Sequence, residues 1–285
     1  MSFCSETETF ISENFTGEIL TDKILCSAFS HVILPQKNLV FLLIPMPSGS
    51  MNGAQKMFFQ NLSIAAANRK LHLVTVWEDL WTAKNSIVRL RILSHLGKFK
   101  RIHARQCSVE RIAKRQADEF LTANHLHGSP TAKYKYGLFY NRQLVAVATF
   151  SGGRPIVRNG KTCRSHELIR FANLQNSIVT GGVGKLLAHF ISERNPDDVM
   201  SYADVDWASG KSYIQLGFKF TEYTEPQKFY LNTQTCERYR PDRLPAELHN
   251  RFLQQTLSID DFMAREKIFA IYNSGNKKFL LELRY

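Results

Sequence analysis

Apolar positions in the first 97 residues follow the pattern of a small α/β domain. Two apolar runs, at residues 29–34 and 39–44, are separated by Pro35-Gln36-Lys37-Asn38 and predict adjacent strands joined by a turn. Helical spacing over residues 53–70 is followed by a third apolar run at 71–77. An acidic helix over 5–13 comes before these elements, and a helix over 79–96 ends at Gly97.

The second half of the chain alternates strand and helix patterns and predicts a mixed sheet flanked by helices. A helix is expected over 108–121, and a hairpin over 134–150 turns at Asn141-Arg142-Gln143. Further strands are expected at 167–171 and 199–205, helices at 184–193 and 209–216, and a terminal strand pair at 218–223 and 228–231.

The length of 285 residues favours two domains, because single domains usually have about 100–200 residues. We predict domains over 1–97 and 108–285, with a basic join over 98–107. Seven cations fall within eighteen residues against the single acid Glu110: Lys98, Lys100, Arg101, Arg105, Arg111, Lys114 and Arg115. This run is either a solvated, flexible join or a strip that binds nucleic-acid phosphates.

Composition restricts the class of protein. Apolar residues make up 44% of the chain, which excludes a mostly disordered protein, and the apolar run at 39–44 is far shorter than the roughly 20 residues of a spanning helix. Five widely spaced cysteines (Cys4, Cys26, Cys107, Cys163 and Cys236) predict reduced thiols in a cytoplasmic protein. The net charge is +12 for the whole chain, −2 for residues 1–80 and +14 for residues 81–285, so the second part is the expected partner of a polyanion.

The stretch Val179-Thr180-Gly181-Gly182-Val183-Gly184-Lys185 lies between a predicted strand and a predicted helix. Free amides at a helix start suit a pyrophosphate, although such a turn is often only a tight connection. It matches neither a P-loop nor a dinucleotide fingerprint. About thirty residues later comes Tyr213-Ile214-Gln215-Leu216-Gly217-Phe218.

This order resembles the acyl-CoA-binding half of the GCN5-related N-acetyltransferase (GNAT) superfamily. The resemblance implies that Gly181, Gly182, Gly184 and Lys185 bind acetyl-CoA or another acyl-CoA. It also implies that Tyr213 protonates the departing thiolate. The superfamily has Gln or Arg where this chain has Val179.

A second resemblance is to phage Mom-type DNA-modification acyltransferases and to the acetyltransferase-like C-terminal region of phage homing endonucleases. It covers residues 75–285 and includes Ala123-Asn124-His125, Glu167-Leu168-Ile169-Arg170-Phe171 and Ser201-Tyr202-Ala203-Asp204. It implies DNA as partner, a phage or mobile-element origin in a host cytoplasm, and Asp204 with His125 as groups that handle the proton of an amine.

Residues 1–74 resemble the nuclease domain of the same endonucleases. That domain holds Mg²⁺ with acidic side chains on adjacent strands. This chain has His31 and Leu42 at those places, and residues 29–55 contain no Asp or Glu. We therefore predict a degenerate nuclease-like domain, without cleavage activity and without a metal site.

Several candidates keep a structural alternative. Asp204 suits a base or a turn, and His125 with His127 suits a base, a metal ligand or loop packing. Arg170 either neutralises a phosphate or pairs with Glu167 or Asp204. Tyr202 and Trp207 either stack on an extruded base or fill the core.

The predicted function is acyl-CoA-dependent N-acylation of an amine on DNA. The alternatives are a non-catalytic DNA-binding protein derived from a homing endonuclease, and an acetyltransferase that acts on small molecules or proteins.

Overall fold

The computed structural model describes residues 2–21, 25, 28–158 and 160–284. Its helices are α1 (Phe3–Asn14), α2 (Phe58–Asn68), α3 (Glu78–Ala83), α4 (Asn85–Leu96), α5 (Lys114–Asn124), α6 (Gly182–Arg194), α7 (Lys211–Gln215), α8 (Ala246–Leu253) and α9 (Ile259–Arg265). The first eight strands are β1 (Ser30–Leu34), β2 (Leu39–Ile44), β3 (His72–Trp77), β4 (Lys100–His103), β5 (Ser108–Arg111), β6 (Tyr134–Tyr140), β7 (Gln143–Phe150) and β8 (Arg154–Arg158). The others are β9 (Lys161–Asn173), β10 (Ser177–Thr180), β11 (Asp198–Asp204), β12 (Lys219–Tyr223), β13 (Lys228–Asn232), β14 (Arg238–Tyr239), β15 (Ile268–Tyr272) and β16 (Asn276–Glu282).

The described chain divides into two compact units. Unit 1 comprises residues 1–85, 204–209 and 223–276, and unit 2 comprises residues 86–203, 210–222 and 277–285. These bounds differ from the predicted ones, because the segment 223–276 belongs with the N-terminal residues. The reason is packing: Leu231 and Ile271 are buried in the same apolar cluster as Leu42 and Trp77.

Unit 1 contains two small sheets. In the first, β1 is antiparallel to β2 and β2 is parallel to β3; in the second, β13 lies between β14 and β15. His31 and Leu42 are paired directly across β1 and β2, and both are buried. The nuclease-like origin of this unit stays a prediction.

Unit 2 is built on a mixed sheet of eight strands with the order β12-β16-β11-β9-β7-β6-β5, and β8 pairs with β9 beyond the end of β7. Phe190 of α6 stacks on Phe150 of β7, with ring centroids 4.0 Å apart. A separate parallel pair, β4 with β10, lies beside the start of α6.

Several predicted elements are corrected by this pairing. Residues 108–121 contain strand β5, which pairs with β6, and the helix begins only at Lys114. The helix over 79–96 is broken at Lys84, where the backbone is non-helical. Within the basic join over 98–107, Lys100–His103 form β4, which pairs with β10, and Ala104–Gln106 form a 3-10 turn. The strands at 218–223 and 228–231 belong to different sheets.

Two further observations concern the whole described chain. No helix in it is both long and apolar enough to cross a bilayer. Cys4, Cys107, Cys163 and Cys236 are free thiols, and Cys26 lies outside the described residues.

Candidate functional site

Strands β9 and β11 of unit 2 separate partway along their length. They are paired in parallel from Asp198↔Ser165 to Ser201↔Leu168. Beyond that pair β9 continues to Asn173, hydrogen-bonded to β7, while β11 also continues past Ser201. We call the unpaired region between the carboxyl ends of these two strands the slot; in open α/β sheets, ligands bind at the carboxyl ends of parallel strands.

A β-bulge in β9 lies at the apex of this slot, directly after the last residue paired with β11. The register with β7 shifts between Thr149↔Arg170 and Phe150↔Leu168, so Ile169 is an extra residue. The guanidinium of Arg170 donates to the carbonyl of Ile169 at 2.9 Å. Bulges of this kind redirect the side chains on either side of the extra residue.

The hydroxyl of Tyr213 lies where the two strands part. It is 2.9 Å from Ser201 Oγ, which is also 2.9 Å from the carbonyl oxygen of Leu168. The phenol ring stacks on Phe279 with centroids 5.1 Å apart. Tyr213 is thus held at the slot by strand β11 and by an aromatic contact.

Burial raises the pKa of Tyr213 above its ordinary value, and the charge of Glu167 adds to the rise. The hydrogen bond with Ser201 and the charge of Arg170 act in the opposite direction. The phenol therefore carries its proton at neutral pH, as a general acid must.

Glu167 lies two residues before the bulge and was missed by sequence reasoning except as a partner for Arg170. Burial raises the pKa of its half-buried carboxyl, while Arg154 and Arg170 lower it. Its amide donates to Ser151 Oγ at 2.9 Å, which fixes the backbone there. A carboxyl with a raised pKa near a slot is a candidate general base. No sequence signal singled it out, because an isolated acid in a strand is common.

The glycine turn begins α6. Gly181 adopts a left-handed conformation with φ of 77°, and the first bond of the helix runs from Lys185 N to Gly181 O at 3.0 Å. The amides of Gly182, Val183 and Gly184 precede that bond, so they are the groups that a helix of 13 residues presents to an anion.

The side-chain positions of two of these glycines are occupied by neighbours. A Cβ on Gly182 would lie 3.0 Å from Val179 Cβ, and one on Gly184 would lie 2.9 Å from Leu216 Cδ2. Close packing therefore explains the absence of a side chain at both positions. Their amide groups remain at the helix start.

The side chain of Lys185 bonds within the protein, and its predicted role in cofactor binding stays a prediction. Its ammonium donates to the carbonyl oxygens of Ala104, at 3.0 Å, and Cys107, at 2.5 Å. The side chain therefore fastens the turn after β4 against α6.

The predicted nucleic-acid strip is exposed and ordered. All seven cations between residues 98 and 115 are exposed, and β4 carries Lys100 and Arg101. Within α5, Lys114 pairs with Asp118 and Arg115 pairs with Glu119. Arg170, by contrast, is half-buried at the bulge, where its guanidinium donates to a backbone carbonyl.

The two other predicted catalytic residues make local contacts. His125 Nδ1 accepts a hydrogen bond from the amide of His127 at 3.1 Å. In unit 1, Asp204 Oδ1 accepts from the amide of Asp206 at 3.0 Å, as in a turn. Their catalytic roles stay predictions.

The two residues predicted to stack on a base differ in burial. Trp207 is buried in the core, whereas Tyr202 is exposed. Within the described residues, no group of three or more His, Cys, Asp or Glu side chains could hold a metal ion.

No family model matches this chain, and no curated protein matches it. Similar solved structures include an acetyltransferase from Bacillus subtilis in complex with CoA, at 11% identity over 62% of this chain and 99% of that chain, with a TM-score of 0.36. A GNAT family acetyltransferase from Elizabethkingia anophelis with acetyl-CoA bound has 10% identity over 62% and 99%, with a TM-score of 0.32. The ribosomal-protein-S18-alanine N-acetyltransferase from Escherichia coli has 13% identity over 63% and 95%, with a TM-score of 0.36. Structural similarity this low says nothing about the activity of this chain. Any activity has to be inferred from the residues of unit 2.

Proposed function

We propose that unit 2 is an acyl-CoA-dependent N-acyltransferase with a GNAT-like fold. The observation that carries this proposal is the position of the Tyr213 hydroxyl at the point where β9 and β11 separate. The charge of Glu167, one residue before the last pair of β9 with β11, raises the pKa of Tyr213, and burial raises the pKa of the Glu167 carboxyl itself. Such an acid and base pair is what transfer of an acyl group to an amine requires.

The residues present fit an acyl-CoA. The amides of Gly182, Val183 and Gly184 would hold its pyrophosphate, and the slot between β9 and β11 would admit an extended chain. When bound, this group supplies the acyl group as an activated thioester. The ammonium of Lys185 donates to backbone carbonyls, so we expect main-chain amides to bind the phosphates.

The protein groups account for both proton movements. The carboxylate of Glu167 accepts the proton that an attacking amine loses as it forms an amide bond. The phenol of Tyr213 gives its proton to the sulfur whose bond to the acyl carbon breaks. Exchange with water then returns the Glu167 proton to solvent and reprotonates Tyr213, so the products are an amide and a thiol.

Isothermal titration calorimetry with acetyl-CoA and with S-acetylpantetheine, which lacks the diphosphate, tests the cofactor. We expect acetyl-CoA to bind at least tenfold more tightly than S-acetylpantetheine. We also expect Glu167→Gln to keep this affinity while losing thiol release. Glu222→Gln, at an exposed glutamate of β12, is the matched control and should change neither quantity. Absence of heat with acetyl-CoA would refute the proposal.

We further propose that the acceptor amine belongs to DNA. The support is the exposed strip of cations between residues 98 and 115, part of which is ordered as β4 beside β10. Phosphate contacts make binding steeply salt dependent. Mobility shifts of duplex DNA at two salt concentrations, for the wild type and for Arg101→Gln with Arg105→Gln, should show a weaker salt dependence in the variant. DNA binding without any acetyl-CoA binding would instead favour the non-catalytic alternative, and indifference to DNA would favour another acceptor.

A further inference from the structure

One buried hydroxyl closes the paired part of β9 and β11. Ser201 is 1% exposed and belongs to the last pair of the two strands, opposite Leu168. Its Oγ lies 2.9 Å from the Leu168 carbonyl oxygen and 2.9 Å from the Tyr213 hydroxyl. A single side chain therefore joins β9, β11 and α7 at the apex of the slot.

The chemistry of the three groups fixes the direction of both bonds. A carbonyl oxygen only accepts, so the Ser201 proton lies on the bond to Leu168 and the Tyr213 hydroxyl donates to Ser201 Oγ. If Tyr213 loses its proton, the phenolate can no longer donate. Rotation of the Ser201 hydroxyl then lets it donate to the phenolate, which is a stronger hydrogen bond because the acceptor is charged.

We propose that Ser201 is the positioning residue of Tyr213: it holds the phenol at the apex of the slot and donates a hydrogen bond to the phenolate after proton transfer. This inference rests on the proposed function. In the proton step the O–H bond of Tyr213 breaks and an S–H bond forms on the leaving group. The Ser201 proton stays on Oγ and changes only its acceptor, from Leu168 to the phenolate.

The groups that shift the pKa of Tyr213 are consistent with this role of Ser201. Burial raises the pKa of Tyr213, and the Ser201 hydrogen bond and the Arg170 charge oppose the rise. Glu167, on the same strand as Arg170, adds to it. Ser201 is the uncharged member of this set, so its removal changes the acidity of the phenol through one hydrogen bond.

The test replaces Tyr213 with 3,5-difluorotyrosine, a more acidic phenol that titrates while the protein is folded, and follows its fluorine NMR signal against pH. We expect Ser201→Ala to lower the acid dissociation constant of this phenol at least tenfold and Ser201→Thr to restore it. Ser165→Ala is the matched control, because Ser165 is equally buried in β9 but donates to Asp198. It should leave the titration unchanged. The same titration in the wild type and in Ser201→Ala would overturn the proposal.

Kinetics of the protein with its natural tyrosine give a second readout. Ser201→Ala should lower kcat at least tenfold with little change in KM for acetyl-CoA, and Ser201→Thr should recover most of kcat. An equal loss in Ser165→Ala would mean that Ser201 acts only through stability and would overturn the positioning role. Failure of acetyl-CoA to bind any variant would refute the proposed function, while the fluorine titration, which needs no acetyl-CoA, still decides whether Ser201 controls the phenol.

Discussion

Replacing Asp206 with asparagine should remove a large pH dependence from the stability of unit 1. The Asp206 carboxylate is buried and accepts hydrogen bonds from Trp77 Nε1, at 3.2 Å, and from the hydroxyl of Ser274. Burial raises the pKa of Asp206 from 3.8 to about 7, and the charge of Asp204 adds to the rise. Ser274, Arg238 and Trp77 oppose it.

The size of the effect follows from the two pKa values. The folded state holds the Asp206 proton up to about pH 7, whereas the unfolded chain releases it near pH 3.8. Between these values the folded state binds more protons, so the free energy of unfolding falls as pH rises. At about 1.4 kcal/mol per pKa unit, the fall is about 4 kcal/mol and levels off above pH 7.

The assay is urea unfolding followed by tryptophan fluorescence between pH 4 and pH 8. All three tryptophans, Trp77, Trp81 and Trp207, lie in unit 1, so the signal reports this unit. We expect the difference between the free energies of unfolding of Asp206→Asn and wild type to grow by about 4 kcal/mol toward pH 8. Asparagine fits because its oxygen can accept from Trp77 and its amide can donate to the Ser274 hydroxyl.

A control variant tests whether the charge of Asp204 contributes to the raised pKa of Asp206. Asp204→Asn removes the neighbouring negative charge and keeps an oxygen that can accept from the amide of Asp206. The midpoint of the pH dependence should therefore move to lower pH. A difference between Asp206→Asn and wild type that is constant from pH 4 to pH 8 would show that Asp206 ionises normally in the folded protein and would refute the reasoning.

Three further predictions concern stability and catalysis. Arg238→Met should lower the free energy of unfolding of unit 1 by about 3–5 kcal/mol, because it leaves the Asp79 carboxylate buried without its two bonds of 2.6 and 2.8 Å. Arg240→Gln, which breaks an exposed pair, should cost less than about 1 kcal/mol in the same urea titration. Tyr213→Phe should lower kcat by about 10²–10⁴-fold in a thiol-release assay without weakening acetyl-CoA binding, and an unchanged kcat would exclude Tyr213 as the acid. Gly181→Ala should cost about 1–2 kcal/mol in calorimetric unfolding, because its φ of 77° is left-handed, and an unchanged melting temperature would contradict this expectation.

Much of the secondary structure follows from the sequence where the pattern is continuous. The run at 39–44 is β2 with every residue buried, and the hairpin at 134–150 is β6 and β7. Residues 108–111 show the limit of this reasoning. Three of these four residues, Ser108, Glu110 and Arg111, are polar, yet the segment forms an edge strand because β6 offers hydrogen bonds to its backbone.

The candidate site was only partly accessible to sequence reasoning. The glycine turn and Tyr213 stand out because their residue types and spacing are unusual. Glu167 and Ser201 have no such signal, since an isolated acid or serine in a strand is common. Their proposed roles depend on the bulge at Ile169 and on the end of pairing between β9 and β11.

By itself, the sequence determined the local elements, the excess of positive charge after residue 80 and the glycine-rich helix start. These depend on neighbours within a few positions along the chain. The tertiary structure alone decided that residues 223–276 join the N-terminal unit and that the hydroxyls of Ser201 and Tyr213 meet. Such contacts depend on which distant segments bury apolar surface together, as Leu231 and Ile271 do with Leu42, and no local pattern of residues specifies that choice.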